Sequence, residues 1–155
     1  MAALQSLDHA VARRFVAPPA ARAAPRPRPA RDRTAAYDFG LAAERNVTMF
    51  LVSGGYEIIG RRVRMRAGEV DIIARRDDEV AFVEVKARRR GWDGLISVDE
   101  RKQRRLSRAA DEWLSRNEHF AACSIRFDIA LVWKGSEIEY LTNAFDFIPA
   151  DDFVW

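Results

Sequence analysis

Cysteine occurs once in the 155 residues, at Cys123, and histidine only at His9 and His119. An intrachain disulfide is therefore excluded, and a zinc site of the Cys/His type lacks donors. That usage agrees with a reducing compartment, so a cytoplasmic location is expected. Long apolar runs are also missing. No stretch approaches the roughly 18–20 residues that a membrane-spanning helix needs, and no membrane partner is expected. Proline is scarce beyond residue 36, where Pro149 stands alone against Pro18, Pro19, Pro25, Pro27 and Pro29 before it. The leading 1–36 segment interleaves proline with alanine and arginine, has little to bury, and reads as a disordered tail. Its Arg-rich composition also resembles an organelle transit peptide, although Asp8, Asp32 and the scarcity of serine weigh against that reading.

Residues 37–155 fit one domain, and a chain that is 48% hydrophobic has enough apolar side chains for a core. The formal charge of +3 invites a nucleic-acid partner, but its distribution is more informative than its sum. Seven arginines and two aspartates give the tail +5, which leaves the body at −2. Within the body, residues 61–108 carry +6 and residues 109–155 carry −6. The positive middle third is the segment to search for a polyanion site.

The periodicities give a coarse map. A helical stretch from Tyr37 stops at Gly54-Gly55, and strand patterns follow at 56–62, 69–75 and 80–87. The charged turn Arg76-Asp77-Asp78-Glu79 makes a hairpin of the last two. Gly91-Trp92-Asp93-Gly94 marks a loop, and Ser97-Val98-Asp99-Glu100 fits a capping box opening a helix to about Asn117. Strands at 125–133 and 137–141 close the chain, with Gly135 between them. The order α-β-β-β-α-β-β predicts an α/β fold with a mixed central sheet of about five strands flanked by helices.

Charged residues interrupt faces that should be apolar. Glu44 lies in the stripe formed by Tyr37, Gly40, Leu41, Val47, Thr48 and Leu51, and Lys102 lies four residues before the core-facing Leu106. Asp71 interrupts a buried-strand pattern, and Glu84 and Lys86 share a face with Phe82. Isolated buried charges are costly. An internal ion-pair network, Glu84 with Lys86 or Asp71 with Lys86, would satisfy them. The other reading is a metal site: two carboxylates 4 Å apart repel by about 4 kcal/mol at an effective dielectric near 20, which favours a divalent cation between them. Oxygen-only donors suit Mg²⁺ or Mn²⁺, and the chemistry of such sites is phosphoryl transfer or phosphodiester cleavage.

Asp71 followed across a turn by Glu84-Val85-Lys86 is similar to the D…(D/E)xK signature of restriction-endonuclease-like nucleases, and Glu44 to the extra acid of archaeal Holliday-junction resolvases. More closely, Gly68-Glu69-Val70-Asp71-Ile72-Ile73-Ala74, Phe82-Val83-Glu84-Val85-Lys86, Lys102-Gln103-x-Arg105-Leu106 and Arg126-Phe127-Asp128 resemble the bacterial YraN family. The resemblance implies a restriction-endonuclease-like core and a metal held by Asp71, Glu84 and the carbonyl of Val85. Lys86 would then orient or activate water, Glu44 would position Lys86 or a second metal, and Lys102 would approach the scissile phosphate. The expected function is a metal-dependent endonuclease on DNA, branched or structured DNA included. The alternative is a noncatalytic nucleic-acid-binding or adaptor protein that retains the fold. DNA is favoured over RNA without RNA being excluded, and resolvases of this fold suggest a homodimer.

Arg88, Arg89, Arg90 and Arg105, with Arg101, Arg104 and Arg108, flank the candidate site as a phosphate-contacting rim or as ordinary solvated charge. Trp92 would stack on an unpaired base or cover the sheet edge. Trp113 and Trp133 read as core, and Arg126 with Asp128 as a structural pair.

Overall fold

The computed structural model describes residues 30–88, 98–133 and 137–150. Most of the leading tail, Arg89, Arg90, the Gly91-Trp92-Asp93-Gly94 motif, Ser97 and Gly135 lie outside the described residues. Helix α1 (Ala30–Ser53) leads into strands β1 (Glu57–Met65), β2 (Gly68–Arg76) and β3 (Glu79–Arg88). Helix α2 (Glu100–Arg116) and a short 3-10 turn (Glu118–Phe120) follow, then β4 (Ser124–Trp133) and β5 (Ile138–Phe145). The expected α-β-β-β-α-β-β order and mixed five-stranded sheet are present. The strands lie in the order β1-β2-β3-β4-β5, with β3 and β4 parallel and the other neighbours antiparallel.

The sheet separates two apolar layers. On the α2 side, Val70, Ile73, Val80, Phe82 and Phe127 pack against Leu106, Ala109, Ala110 and Trp113. Trp113 meets Phe82 edge-on at 5.7 Å, the geometry that suits aromatic quadrupoles. On the α1 side, Ile72, Ala74, Ala81, Val83, Ala130 and Val132 pack against Ala43, Val47 and Leu51. Side-chain alternation along β3 sends Val80 and Phe82 toward α2 and Ala81 and Val83 toward α1, so Glu84 follows Phe82 to the α2 side.

Local chemistry fixes the element ends. Gly55, with φ 83°, closes α1 in a Schellman motif: the Tyr56 N–H donates to Leu51 O and the Gly55 N–H to Val52 O, both at 3.0 Å. Asp77, with φ 55°, occupies the β2–β3 turn, where a short polar side chain tolerates the left-handed region. A crossover through α2 joins the parallel neighbours β3 and β4, as parallel pairing requires. The cap of α2 is Asp99, which accepts from the Lys102 N–H at 2.8 Å. This falls two residues beyond the Ser97 cap of the expected box, because Asp99 itself reaches a free N–H of the first turn.

Two further expectations need correction. Helix α1 reaches back to Ala30, ahead of the periodicity that begins at Tyr37, because Ala and Arg sustain a helix by propensity without an apolar stripe. The core line of α1 is Ala43, Val47 and Leu51, whereas Tyr37 is 57% exposed. At 3.6 residues per turn, Tyr37 and Leu41 lie roughly 120° and 160° around the helix from Ala43. That side is turned from the core line toward Arg61 and Arg62 of β1.

Candidate functional site

The β2–β3 ladder runs from Arg76 opposite Glu79 to Ile72 opposite Val83 and stops there. Asp71 and Glu84 are the next residue on each strand. Past this point the Val85 N–H donates not to β2 backbone but to Asp71 Oδ2, at 2.8 Å. On β1, Arg62 lies between the residues paired with Val70 and Ile72 and has a left-handed φ of 49°. Both neighbours of this stretch thus leave regular strand geometry beside Asp71.

Glu84 is buried, and its Oε1 accepts from two lysines: Lys86 at 2.7 Å from its own strand, and Lys102 from the first turn of α2. The internal ion pair Glu84–Lys86, one of the two readings of the sequence, is therefore present. Lys86 pairs with Glu84 and not with Glu44. Burial pushes the Asp71 carboxyl up to about 7, and the charges of Glu84 and Glu44 push the same way, against the Val85 N–H and Lys102. Burial also raises Glu44, whose strongest charged neighbour is Arg62. Burial lowers Lys102, with Lys86 adding to the effect and Glu84 opposing it. The result is a half-sheltered centre in which Glu84 contacts Lys86 and Lys102 directly, while Asp71, bonded to the Val85 N–H, feels the charges of Glu84, Lys102 and, from α1, Glu44.

The donor set decides what this centre could hold. Asp71, Glu84 and main-chain oxygen are hard ligands, but among the described residues no group of three or more His, Cys, Asp or Glu side chains is gathered for a metal ion. Two carboxylates with water completing the shell is a common arrangement for Mg²⁺.

Two basic clefts open beside the centre. One, of about 490 Å³, is lined by Ala67, Asp99, Arg101, Lys102, Arg104, Arg105 and Arg108, so Lys102 belongs both to its wall and to the carboxylate centre. Arg105 is exposed and lies across Gly68, where a Cβ would come within 2.9 Å of its Cδ. Arg88 ends β3 and is half-buried. The other cleft, on the Glu44 side, includes Arg45, Arg61 and Arg62. These three arginines were not among the residues singled out from the sequence. Their one local signal is the adjacent Arg61-Arg62 pair, which breaks the alternation of the strand. No described helix is long and apolar enough to cross a membrane.

Away from the centre, Asp128 is fully buried and accepts from three donors, Arg126 Nε (3.0 Å), the Tyr140 hydroxyl (2.6 Å) and the Asn143 N–H (2.9 Å). Arg126 also donates to Tyr56 Oη at 2.5 Å and pairs with Glu79. The expected Arg126–Asp128 pair is thus the middle of a larger structural network.

A profile of the Uncharacterised protein family UPF0102 matches residues 43–132. A UPF0102 protein of Rhodopseudomonas palustris strain HaA2 is 42% identical over 121 residues, covering 78% of this chain and 94% of the relative. One of Mesorhizobium japonicum is 42% identical over 118 residues, covering 76% and 94%. One of Sinorhizobium medicae is 44% identical over 106 residues, covering 68% and 87%.

Proposed function

The chain belongs to the uncharacterised family UPF0102, the YraN family, and from its carboxylate and lysine centre we propose that it is a divalent-metal-dependent endonuclease hydrolysing phosphodiester bonds in DNA, branched or structured DNA included. The supporting observation is the meeting of Asp71 and Glu84 just past the β2–β3 ladder, beside two lysines and a cleft walled by arginines. Asp71, Glu84 and the Val85 carbonyl are the proposed ligands of Mg²⁺ or Mn²⁺. The residues fit that role in donor type and placement, since both are carboxylates at adjacent strand positions just past the ladder, and a bound cation would relieve the cost that burial, and then Glu84, place on ionised Asp71. Bound there, the metal would supply Lewis acidity toward the phosphoryl oxygens and a more acidic water.

The remaining roles fall to the chain's own groups. Lys86, held at 2.7 Å from Glu84, orients the attacking water through its ammonium protons. Lys102 extends from α2 between Glu84 and the arginine cleft and donates to a nonbridging phosphate oxygen, where negative charge grows in the transition state. Glu44 adds negative charge beside Asp71 from α1, where it would position a second metal. Arg101, Arg105 and Arg108, with the Arg88-Arg89-Arg90 run, hold the backbone without reading bases.

Incubation with Mg²⁺ or Mn²⁺ and a panel of duplex, flapped, single-stranded and four-way-junction DNA tests the reading. Wild type should cut at least one substrate, with Asp71→Asn and Lys86→Ala inactive. No cutting, or cutting by the variants at wild-type rate, refutes it. One observation favours a noncatalytic DNA-binding protein instead: Glu84 Oε1 already takes both lysines, so that carboxylate is balanced without a metal. In that case salt-sensitive DNA binding survives Glu84→Gln, with no cleavage under any metal.

A further inference from the structure

On the α1 side of the carboxylate pair, Leu41, Glu44, Arg45, Arg61 and Arg62 line a cleft of about 450 Å³. Two features separate it from an ordinary basic surface. The first is apolar. Tyr37 is 57% exposed, and Leu41 lies one turn further along the same face of α1, turned away from the core line. A helix face turned to water usually carries polar side chains, yet here it presents a ring and an aliphatic floor beside arginines. The second is the state of those arginines. Arg62, with its left-handed backbone, reaches Glu69 at 3.3 Å and the Tyr37 hydroxyl at 3.4 Å, and its guanidinium lies 5.9 Å from the Tyr37 ring centroid. Arg45 and Arg61 make no hydrogen bond or salt bridge among the described residues, so their donors are open to the cleft, and Arg61 with Arg62 offsets the charge of Glu44 in its wall.

An exposed aromatic shelf beside unclaimed guanidinium groups matches the chemistry of single-stranded nucleic acid, whose bases offer faces for stacking while its phosphates take the cations. Uninterrupted duplex offers the phosphates but no base face. Resting on the nuclease reading for the class of ligand, we infer that this cleft holds the unpaired arm of a DNA whose scissile phosphate lies at Asp71 and Glu84. Tyr37 stacks on an unpaired base, and Arg45, Arg61 and Arg62 take its phosphates. The duplex arm then occupies the Arg101–Arg108 cleft along α2, on the Lys102 side of the carboxylate pair. The preferred substrate is a duplex that opens into a single strand.

Fluorescence anisotropy with the full chain in EDTA tests this, using labelled blunt duplex, flapped duplex and single strand of one sequence, with the flap and single strand made in both DNA and RNA. Wild type should bind flapped and single-stranded DNA more tightly than blunt duplex. Tyr37→Ala should weaken the flap and single strand about tenfold and leave duplex binding within about twofold. Tyr37→Phe, which keeps the ring, should bind as wild type. Arg45→Ala with Arg61→Ala should weaken flap binding and flatten its salt dependence. The inference is overturned if wild type shows no preference, if Tyr37→Ala binds the flap as wild type does, if it weakens duplex and flap equally, or if the RNA arms bind more tightly than the DNA arms. Binding is read without metal or cleavage. A protein that cuts nothing can still show the Tyr37-dependent preference, and an active nuclease can lack it, so the two readings fail separately.

Discussion

Replacing Asp71 by asparagine should stabilise the metal-free protein. The substitution keeps an oxygen that can accept the Val85 N–H now bonded to Oδ2 at 2.8 Å, and it removes a carboxylate that burial and Glu84 hold in an unfavourable environment. Each tenfold change in proton affinity corresponds to ~1.4 kcal/mol, so a move from 3.8 to about 7 disfavours the ionised form by about 4 kcal/mol in the fold. That is an upper bound, since the carboxyl is only half-buried and the asparagine amide brings two donors that need partners. A gain of about 2 kcal/mol, or roughly 5–10 °C in Tm, is expected in EDTA at pH 8 by thermal denaturation followed by circular dichroism. Saturating Mn²⁺ should reverse the order. Ligand at 100 times its Kd stabilises a folded site by about 2.7 kcal/mol, a gain available to wild type and largely lost to the variant. A lower Tm for Asp71→Asn in EDTA would refute the reasoning, because Asp71 would then be a structural cap for Val85 and not a strained ligand.

Three further outcomes are expected. Asp128→Ala should cost about 3 kcal/mol or more in chemical denaturation, because it strands Arg126, the Tyr140 hydroxyl and the Asn143 N–H inside the fold. A phenolate absorbance titration should contain a component displaced above the ordinary value of 10.0, since burial and the charge of Asp128 keep Tyr140 protonated, and Tyr140→Phe should abolish it. The unfolded chain releases that proton first, so the stability tied to it declines as pH rises above about 10 and is gone once the folded-state value is passed. Arg101→Ala, at an exposed residue lining the α2 cleft, should lower the slope of log affinity against log salt by about one while leaving Tm unchanged.

Local periodicity made the sheet and α2 legible. β2, β3 and β4 lie near the middle of the sheet and read as apolar runs, and the Leu106, Ala109, Ala110, Trp113 line of α2 coincides with its buried face. Asp71 and Glu84 stood out because a charge in such a run breaks the pattern. Their environment did not, because it is built by contacts distant in sequence. The Asp71 bond to the Val85 backbone appears only where the ladder ends, and Lys102 meets Glu84 only after α2 folds over the sheet. Tyr37 and Leu41 misled the periodicity for a related reason. They satisfy helical spacing, but the rotation of α1 on the sheet is set by Ala43, Val47 and Leu51, whose small and medium side chains allow close approach. Arg45, Arg61 and Arg62 come together from a helix and a strand, and no spacing rule links them. Arg126 and Asp128 were readable as neighbours on one strand face, whereas Glu79, Tyr56 and Tyr140 join them from elsewhere in the chain.

Anomalous diffraction from crystals soaked in Mn²⁺ addresses the centre most directly. The expected result is one strong peak about 2.0–2.6 Å from carboxylate oxygens of both Asp71 and Glu84 and from the Val85 carbonyl, with Lys102 displaced from Glu84. A map with no peak there at saturating Mn²⁺, with Lys86 and Lys102 still on Glu84 Oε1, would contradict the metal-dependent mechanism.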